Sequence, residues 1–350
     1  MKLKSINRLG LAAVAALSLL LASAAPSAAQ KDSKKSGGKK DGEKVKKELP
    51  PGTPVLWREH ANIESLDLLL GPGGEEMKPD LSSVTFIREE EKGFSPKFRV
   101  KDGKGRVWVA KMGNEAQPET AAVRLIWAAG YATEVNYLVP CVKIPGAPHP
   151  KKGTVERCEG DGFANVRFEA RPEEVKRLDE WSWTENPFVG TKELQGLLVL
   201  MALVNNWDLK DENNKILHVR SGAVGDELRY IVSDLGATFG KSPSGLLWQL
   251  KRSRNKPEDF AGQRFISEVK NGNVFFKFGG KNQKLFDDIS VDEARWVGRQ
   301  LSRLSDRQVA DAFRAANYAP GDVDLLTRAV RARIRDLAGI GGAAASAGRR

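Results

Sequence analysis

The run Asn205-Asn206-Trp207-Asp208-Leu209-Lys210-Asp211-Glu212-Asn213-Asn214, taken with Asp234-Leu235-Gly236 further on, decides how this chain is read. A segment apolar on nearly every side, Leu194 to Val204, leads into the first stretch. At that length it suits a buried core helix and is too short for a membrane span. The β-prone run Tyr230-Ile231-Val232 leads into Asp234. Two hydrophobic elements thus deliver carboxylates, a lysine and an amide to two polar turns. That set suits chemistry on a phosphate, which needs positive charge against the phosphate oxygens and a carboxylate near the attacking group. A plain polar turn also favours Asn and Asp, for their local hydrogen bonds. What stands upstream separates the two readings.

Upstream, a strand is predicted over Ser83 to Arg88, then the turn Glu89-Glu90-Glu91-Lys92-Gly93-Phe94-Ser95. Two alternating runs follow, Lys97 to Lys101 and Arg106 to Met112, joined at Asp102-Gly103-Lys104-Gly105, a hairpin signal. Lys111 shares a strand face with Val107 and Val109. A lysine there either snorkels to the rim or meets an acid. Pro118-Glu119 opens a helix through Ala122, Val123, Leu125, Ile126 and Ala129 that stops at Gly130. Glu119 is the partner predicted for Lys111, with Glu115 the alternative. A strand over Asn136 to Ile144 and a hairpin of Val155 to Glu159 with Phe163 to Glu169, turning at Asp161-Gly162, complete an antiparallel sheet carrying one inserted helix.

From Arg171 to Phe188 the chain reads as an irregular connector. Beyond the apolar helix, Ile216 to Arg220 and Arg229 to Val232 form a hairpin that leads to Asp234, and a third hairpin turns at Asn271-Gly272. Ser290-Val291-Asp292-Glu293 and Ser305-Asp306-Arg307-Gln308 have capping-box form and start two helices. A last helix is predicted over Val323 to Leu337. Gly236 to Ser242 is one residue short of a phosphate-binding Gly-x4-Gly-Lys-Ser, and Pro243 follows where a helix should begin, so Thr238 to Pro257 reads as a loop beside the cleft.

Asp208-Leu209-Lys210-Asp211-Glu212-Asn213 has the spacing Asp-Leu-Lys-x-x-Asn, and Asp234-Leu235-Gly236 has the form Asp-x-Gly. With Lys111 and Glu119 before them in order, these resemble the catalytic loop and metal-binding motif of the protein-kinase-like superfamily. The resemblance implies an α+β, two-lobed fold, with a β-rich N-lobe over 53–170 and a mainly helical C-lobe over 171–338. It implies that ATP and Mg2+ are the cofactors. Lys111, paired with Glu119, would hold the ATP phosphates under the turn bearing Gly93 and Ser95. Asp208 would accept the proton of the attacking hydroxyl, Lys210 would steady the γ-phosphate, and Asn213 and Asp234 would hold the metal. The turn has one glycine, Asn206-Trp207 stands where typical protein kinases have His-Arg, and no Ala-Pro-Glu follows Asp234. These departures point to the atypical branch, which holds secretory-pathway, spore-coat, HipA-like and lipid kinases. The acceptor, whether protein, lipid or small molecule, is left open. So are two alternatives on the same fold: a degenerate kinase used as a binding module, and nucleotidyl transfer.

Residues 1–29 have the form of a secretory signal: Lys2, Lys4 and Arg8, an apolar run from Leu11 to Leu21, and small residues at Ser27-Ala28-Ala29. A secreted or periplasmic protein is the expectation. Residues 30–52 form a lysine-rich, almost wholly polar linker, which cannot bury enough surface to order itself and offers at most weak contact with an acidic envelope surface. Outside these segments acidic and basic residues nearly balance, so the net charge of +11 does not indicate nucleic acid binding. Cys141 and Cys158 lack zinc-type spacing with the histidines and suit one disulfide in an oxidising compartment. No Gly-x-Ser-x-Gly elbow is present, which removes support for a serine hydrolase. The Gly/Ala-rich stretch 339–350 reads as a frayed tail.

Overall fold

A computed structural model describes residues 48–220, 225–243, 245 and 248–341. The segment read as a signal, most of the linker, and the tail beyond residue 341 lie outside the described residues. The last linker residues are described, and there Leu49 packs against the larger core, so the chain joins the folded body before residue 52.

Three sheets, of six, four and two strands, and seven α-helices form the regular structure of the described residues. In chain order the first strands are β1 (Thr53–Val55), β2 (Thr85–Glu89), β3 (Lys97–Lys101) and β4 (Val107–Lys111), followed by helix α1 (Ala116–Ala128). Then come β5 (Asn136–Val142), β6 (Arg157–Cys158), β7 (Gly162–Ala170) and β8 (Val175–Arg177). The first sheet runs β2-β3-β4-β7-β5 with β6 beside β7, and all its pairings are antiparallel. The β3–β4 turn forms as the Asp-Gly signal predicts. Buried Asp102 accepts from the amides of Lys104 and Arg106 at 3.0 and 2.8 Å and from the indole of Trp108 at 3.0 Å, satisfying its oxygens while seating a fully buried ring. Phe98, Trp108 and Phe168 interlock edge-on with their neighbours as the core of this lobe. A disulfide joins Cys141 at the edge strand to Cys158.

The rest is mainly helical: α2 (Lys192–Leu203), the hairpin β9 (Asn214–Val219) and β10 (Glu227–Val232), short helices α3 (Trp248–Lys251) and α4 (Pro257–Gly262), the hairpin β11 (Ile266–Lys270) and β12 (Asn273–Phe276), then α5 (Val291–Ser302), α6 (Asp306–Arg314) and α7 (Pro320–Gly339). Both predicted capping boxes form, at Ser290 with Glu293 and at Ser305 with Gln308. α2 is buried along nearly its whole length at the centre of the larger core. The β-rich lobe with one inserted helix, followed by a mainly helical lobe, is the two-lobed α+β arrangement expected from the sequence.

Three details differ from the sequence reading. β1 pairs in parallel with β10, and Leu56, Ile63 and Leu68 bury in the larger core, so the segment from residue 53 to about 70 belongs with the C-lobe sheet instead of opening the N-lobe. The connector after Arg171 contains β8, which pairs with β9. The stretch read as a loop over Thr238 to Pro257 carries α3 and leads into α4, where Pro257 takes the first helical position.

Candidate active site

Lys111 ends β4 with its side chain only 6% exposed. In the sheet its register partners are Lys97 on β3 and Arg167 on β7, so three cations share one rung and one face. Carboxylates from two other segments, the start of α1 and the turn after β10, meet them. Glu119 Oε2 lies 2.8 Å from Lys111 Nζ and its Oε1 lies 3.1 Å from Arg167 Nη2. Glu115 is not a substitute for Glu119 but a second partner, 2.9 Å from Lys111, and it also accepts from the Ser95 hydroxyl and pairs with Arg254. Asp234 Oδ1 completes the set at 3.7 Å from the Lys111 ammonium. Burial works against the charged lysine, but Asp234 and Glu119 outweigh it and hold its pKa above the usual lysine value.

Behind this rung lies a buried ionic network that sequence reasoning did not find. Arg167 bonds Glu169 at 2.6 Å, Arg171 pairs with Glu169, and Arg177 pairs with Glu134 while donating to Ser233 Oγ at 2.8 Å. Ser233 in turn donates to Glu134 at 2.8 Å, linking the network to the residue before Asp234. The alternation of Arg167, Glu169 and Arg171 along one strand is its sequence signal: period-two spacing puts them on one face. Of these groups Arg167, Glu169, Arg171, Arg177 and Ser233 line a cleft of about 310 Å³ together with Lys97, Lys111, Glu119 and Asp234, and Val109 is its apolar wall.

The C-lobe half of the site is held by backbone. Asn205 takes a left-handed conformation (φ 55°) at the end of α2, a position that suits Asn, and Asn206 N returns to Met201 O at 2.8 Å. The chain then leaves as the loop that carries Asp208. Asn213 Nδ2 donates to the Asp208 carbonyl at 2.5 Å and to its Oδ2 at 3.3 Å. The Asn213 carbonyl receives the amides of Ser233 and Asp234 at 2.8 and 3.2 Å, so Asn213 and Asp234 are tied side by side. Asp208 is flanked by Lys210 and by Lys281, each at 3.1 Å. Lys281 was not anticipated; it is anchored through its own amide to Trp207 O at 3.0 Å, while Asn282 clasps Leu209 O at 2.7 Å. Burial opposes the Lys210 charge, but its bond to Asp208 raises its pKa above the usual value. Trp207, which stands in place of an arginine, donates to Ser253 O at 2.9 Å and stacks beneath Arg252 and Arg254, pinning the segment that follows Asp-x-Gly.

Gly93 has a φ of +83°, the left-handed region that glycine adopts without strain, and Lys152 bonds its carbonyl. Ser95 is buried and committed to Glu115. Of the residues expected to hold ATP and Mg2+, Lys111, Glu119 and Asp234 line this one cleft, Asn213 is tied to Asp234 through its backbone, Gly93 lies over Lys97, and Ser95 is turned to Glu115 with its hydroxyl already bonded. The donor set suits magnesium. The Asp234 side chain is 44% exposed toward the cleft, and the Asn213 amide nitrogen is spent on Asp208, which leaves its oxygen for a ligand. Magnesium takes one or two such hard oxygens and completes its shell with phosphate and water. Among the described residues no cluster of three or more His, Cys, Asp or Glu side chains offers a metal cage of another kind.

Neither a protein-family model nor a curated protein sequence matches the chain. Among solved structures, the proinflammatory kinase CtkA of Helicobacter pylori is similar over 74% of this chain and 94% of its own, at 11% identity and a TM-score of 0.39. The Rio2 kinase of Chaetomium thermophilum, solved as an ADP/Mg2+-phosphoaspartate complex, is similar over 72% of each chain, at 12% identity and a TM-score of 0.29. The chain's own elements carry the fold: a sheet lysine, an inserted-helix glutamate, and two polar turns delivered by α2 and β10.

Proposed function

We propose that this protein is an atypical, Mg-ATP-dependent phosphotransferase that works outside the cytoplasm. The observation that carries the reading is the closure of two distant segments on one ammonium, with Lys111 2.8 Å from Glu119 and 3.7 Å from Asp234. In this reading Lys111, steadied by Glu119, binds donor phosphate. Asp234 and Asn213 hold magnesium, which when bound supplies positive charge between the phosphates. Asp208 faces the acceptor hydroxyl and takes its proton, and Lys210 and Lys281 offset the charge that builds on the transferring group. The signal-like residues 1–29 support work outside the cytoplasm. The acceptor is set by the shape of the surrounding loops and not by these motifs.

The test compares melting of the wild-type chain and Asp234→Ala with and without Mg-ATP, together with transfer of labelled γ-phosphate. At a nucleotide concentration of 100 Kd, binding stabilises the wild type by about 2.7 kcal/mol. A wild-type chain that is neither stabilised nor labelled would sink the proposal. A second reading, nucleotide binding without transfer, draws support from the Asp208 carboxylate, whose two oxygens are each already paired with a lysine, Oδ2 with Lys210 and Oδ1 with Lys281. Stabilisation without labelling would select it. Mass analysis of a labelled product separates phosphate from a nucleotide adduct.

A further inference from the structure

Lys97, Lys111 and Arg167 stand on one rung of the first sheet, with Lys111 in the middle. Like charges directly opposite on neighbouring strands repel, so each needs an anion nearby. Two of the three have theirs. Glu119 reaches both Lys111 and Arg167, Glu115 and Asp234 reach Lys111 as well, and Glu169 reaches Arg167. For Lys97 there is no ion pair or side-chain hydrogen bond among the described residues, although it is only partly exposed and lines the cleft. The neighbouring arginines do not share that condition: Arg99 bonds Glu90 at 2.6 Å, Arg171 pairs with Glu169 and Arg177 with Glu134.

The position of the Lys97 ammonium is specific. It lies beneath the turn at Gly93, where a Cβ added to the glycine would come 3.1 Å from Nζ. Burial, then the neighbouring Lys111 charge, lower its pKa below the usual lysine value. Holding a partly buried cation beside another without a partner is unfavourable unless an anion completes the site. Lys111 is already matched by carboxylates in direct contact, whereas Glu169, Asp234 and Glu119 act on Lys97 only from beyond ion-pair distance, so Lys97 is the cation of this rung with no ion pair of its own among the described residues. The covering turn has one glycine and its serine is committed to Glu115, which limits what the turn itself can offer a phosphate.

We propose that Lys97 is a second phosphate-binding lysine of the donor site, gripping the donor's phosphates from beneath the Gly93 turn. The inference rests on the phosphotransferase reading and adds a residue that the catalytic-loop and Asp-x-Gly motifs do not include.

Calorimetric titration of the full chain with Mg-ATP and with inorganic tripolyphosphate tests it on wild type, Lys97→Met and Lys97→Arg. Methionine keeps the length and removes the charge. The expected result is a loss of about tenfold or more in affinity for both polyanions with Lys97→Met, the scale of one charge-assisted hydrogen bond, and recovery of most of it with Lys97→Arg. The ligand-free melting temperature of Lys97→Met should be unchanged or higher, since an unpaired charge is removed, whereas a structural lysine would lower it. Lys97→Met binding both polyanions as tightly as wild type overturns the inference and leaves the phosphotransferase reading standing. A lowered ligand-free melting temperature, or no recovery with Lys97→Arg, also overturns it. A wild-type chain that binds neither polyanion overturns both.

Discussion

The two halves of the site are built by different physics. The N-lobe half, around Lys111, Glu119 and Arg167, is a dry set of charges that fix one another's positions, with Glu119 only 1% exposed. The C-lobe half, from Asp208 to Asn213 with Asp234, is partly wet, and main-chain hydrogen bonds give it its shape. A buried ion set is costly to break at any member, because removing one charge strands its partner away from water. A backbone-tied loop loses little when one side chain goes, because most of its bonds survive. On the phosphotransferase reading proposed above, the half assigned to the donor is the ion-paired one and the half assigned to the acceptor is the backbone-tied one.

The largest expected effect lies on the dry side. Arg167→Met leaves Glu119, Glu134 and Glu169 without their shared guanidinium and should cost about 3–5 kcal/mol in urea unfolding. A cost below about 1 kcal/mol would show that the network is not the rigid element of this lobe. On the wet side, Asn213→Ala removes two side-chain bonds to Asp208 and should cost about 1–2 kcal/mol of stability. The same variant should lose most of the magnesium-dependent part of nucleotide stabilisation, read by melting with ATP in magnesium and in chelator. If its stability fell as far as that of Arg167→Met, the contrast between the halves would fail.

The smallest effect is in pH. Burial raises the Asp234 pKa, but Lys111 and the Gly236 amide outweigh it and hold the value below the ordinary 3.8. Its contribution to stability is therefore present above pH 3.8 and is lost as pH falls through the lower, folded-state value. Lys111 titrates in the opposite sense. Its raised pKa makes its contribution complete below 10.5 and lost as pH rises through the higher, folded-state value. Unfolding of wild type and Asp234→Asn should differ by a constant amount at neutral pH and converge in acid. Convergence in alkali alone would assign the wrong partner to Lys111.

What could be read in the chain before folding was what depends on neighbours in sequence. The Asp102-Gly103 turn, the Ser290 and Ser305 caps, and the closeness of Lys111 to Glu119 are set within a few residues, and each forms. The parallel pairing of Thr53–Val55 with Glu227–Arg229 joins segments far apart in the chain, and no local pattern encodes it. The same holds for Lys281 beside Asp208 and for Trp207 beneath Arg252 and Arg254, where the partner comes from another element. Lys97 is the intermediate case. Counting outward from the hairpin turn places it opposite Lys111, so its position was legible, whereas its lack of a carboxylate required the full fold.

Gly236 carries one more consequence. A Cβ at this position would stand 2.7 Å from the Cβ of Glu115, closer than packed carbons approach. The two residues therefore exchange volume across the lobes. Because the nearest atom is a Cβ, only glycine at position 115 removes that contact outright, so relatives that carry a side chain at position 236 should carry glycine at 115, and the pair should vary together as descendants of one ancestral sequence diverge.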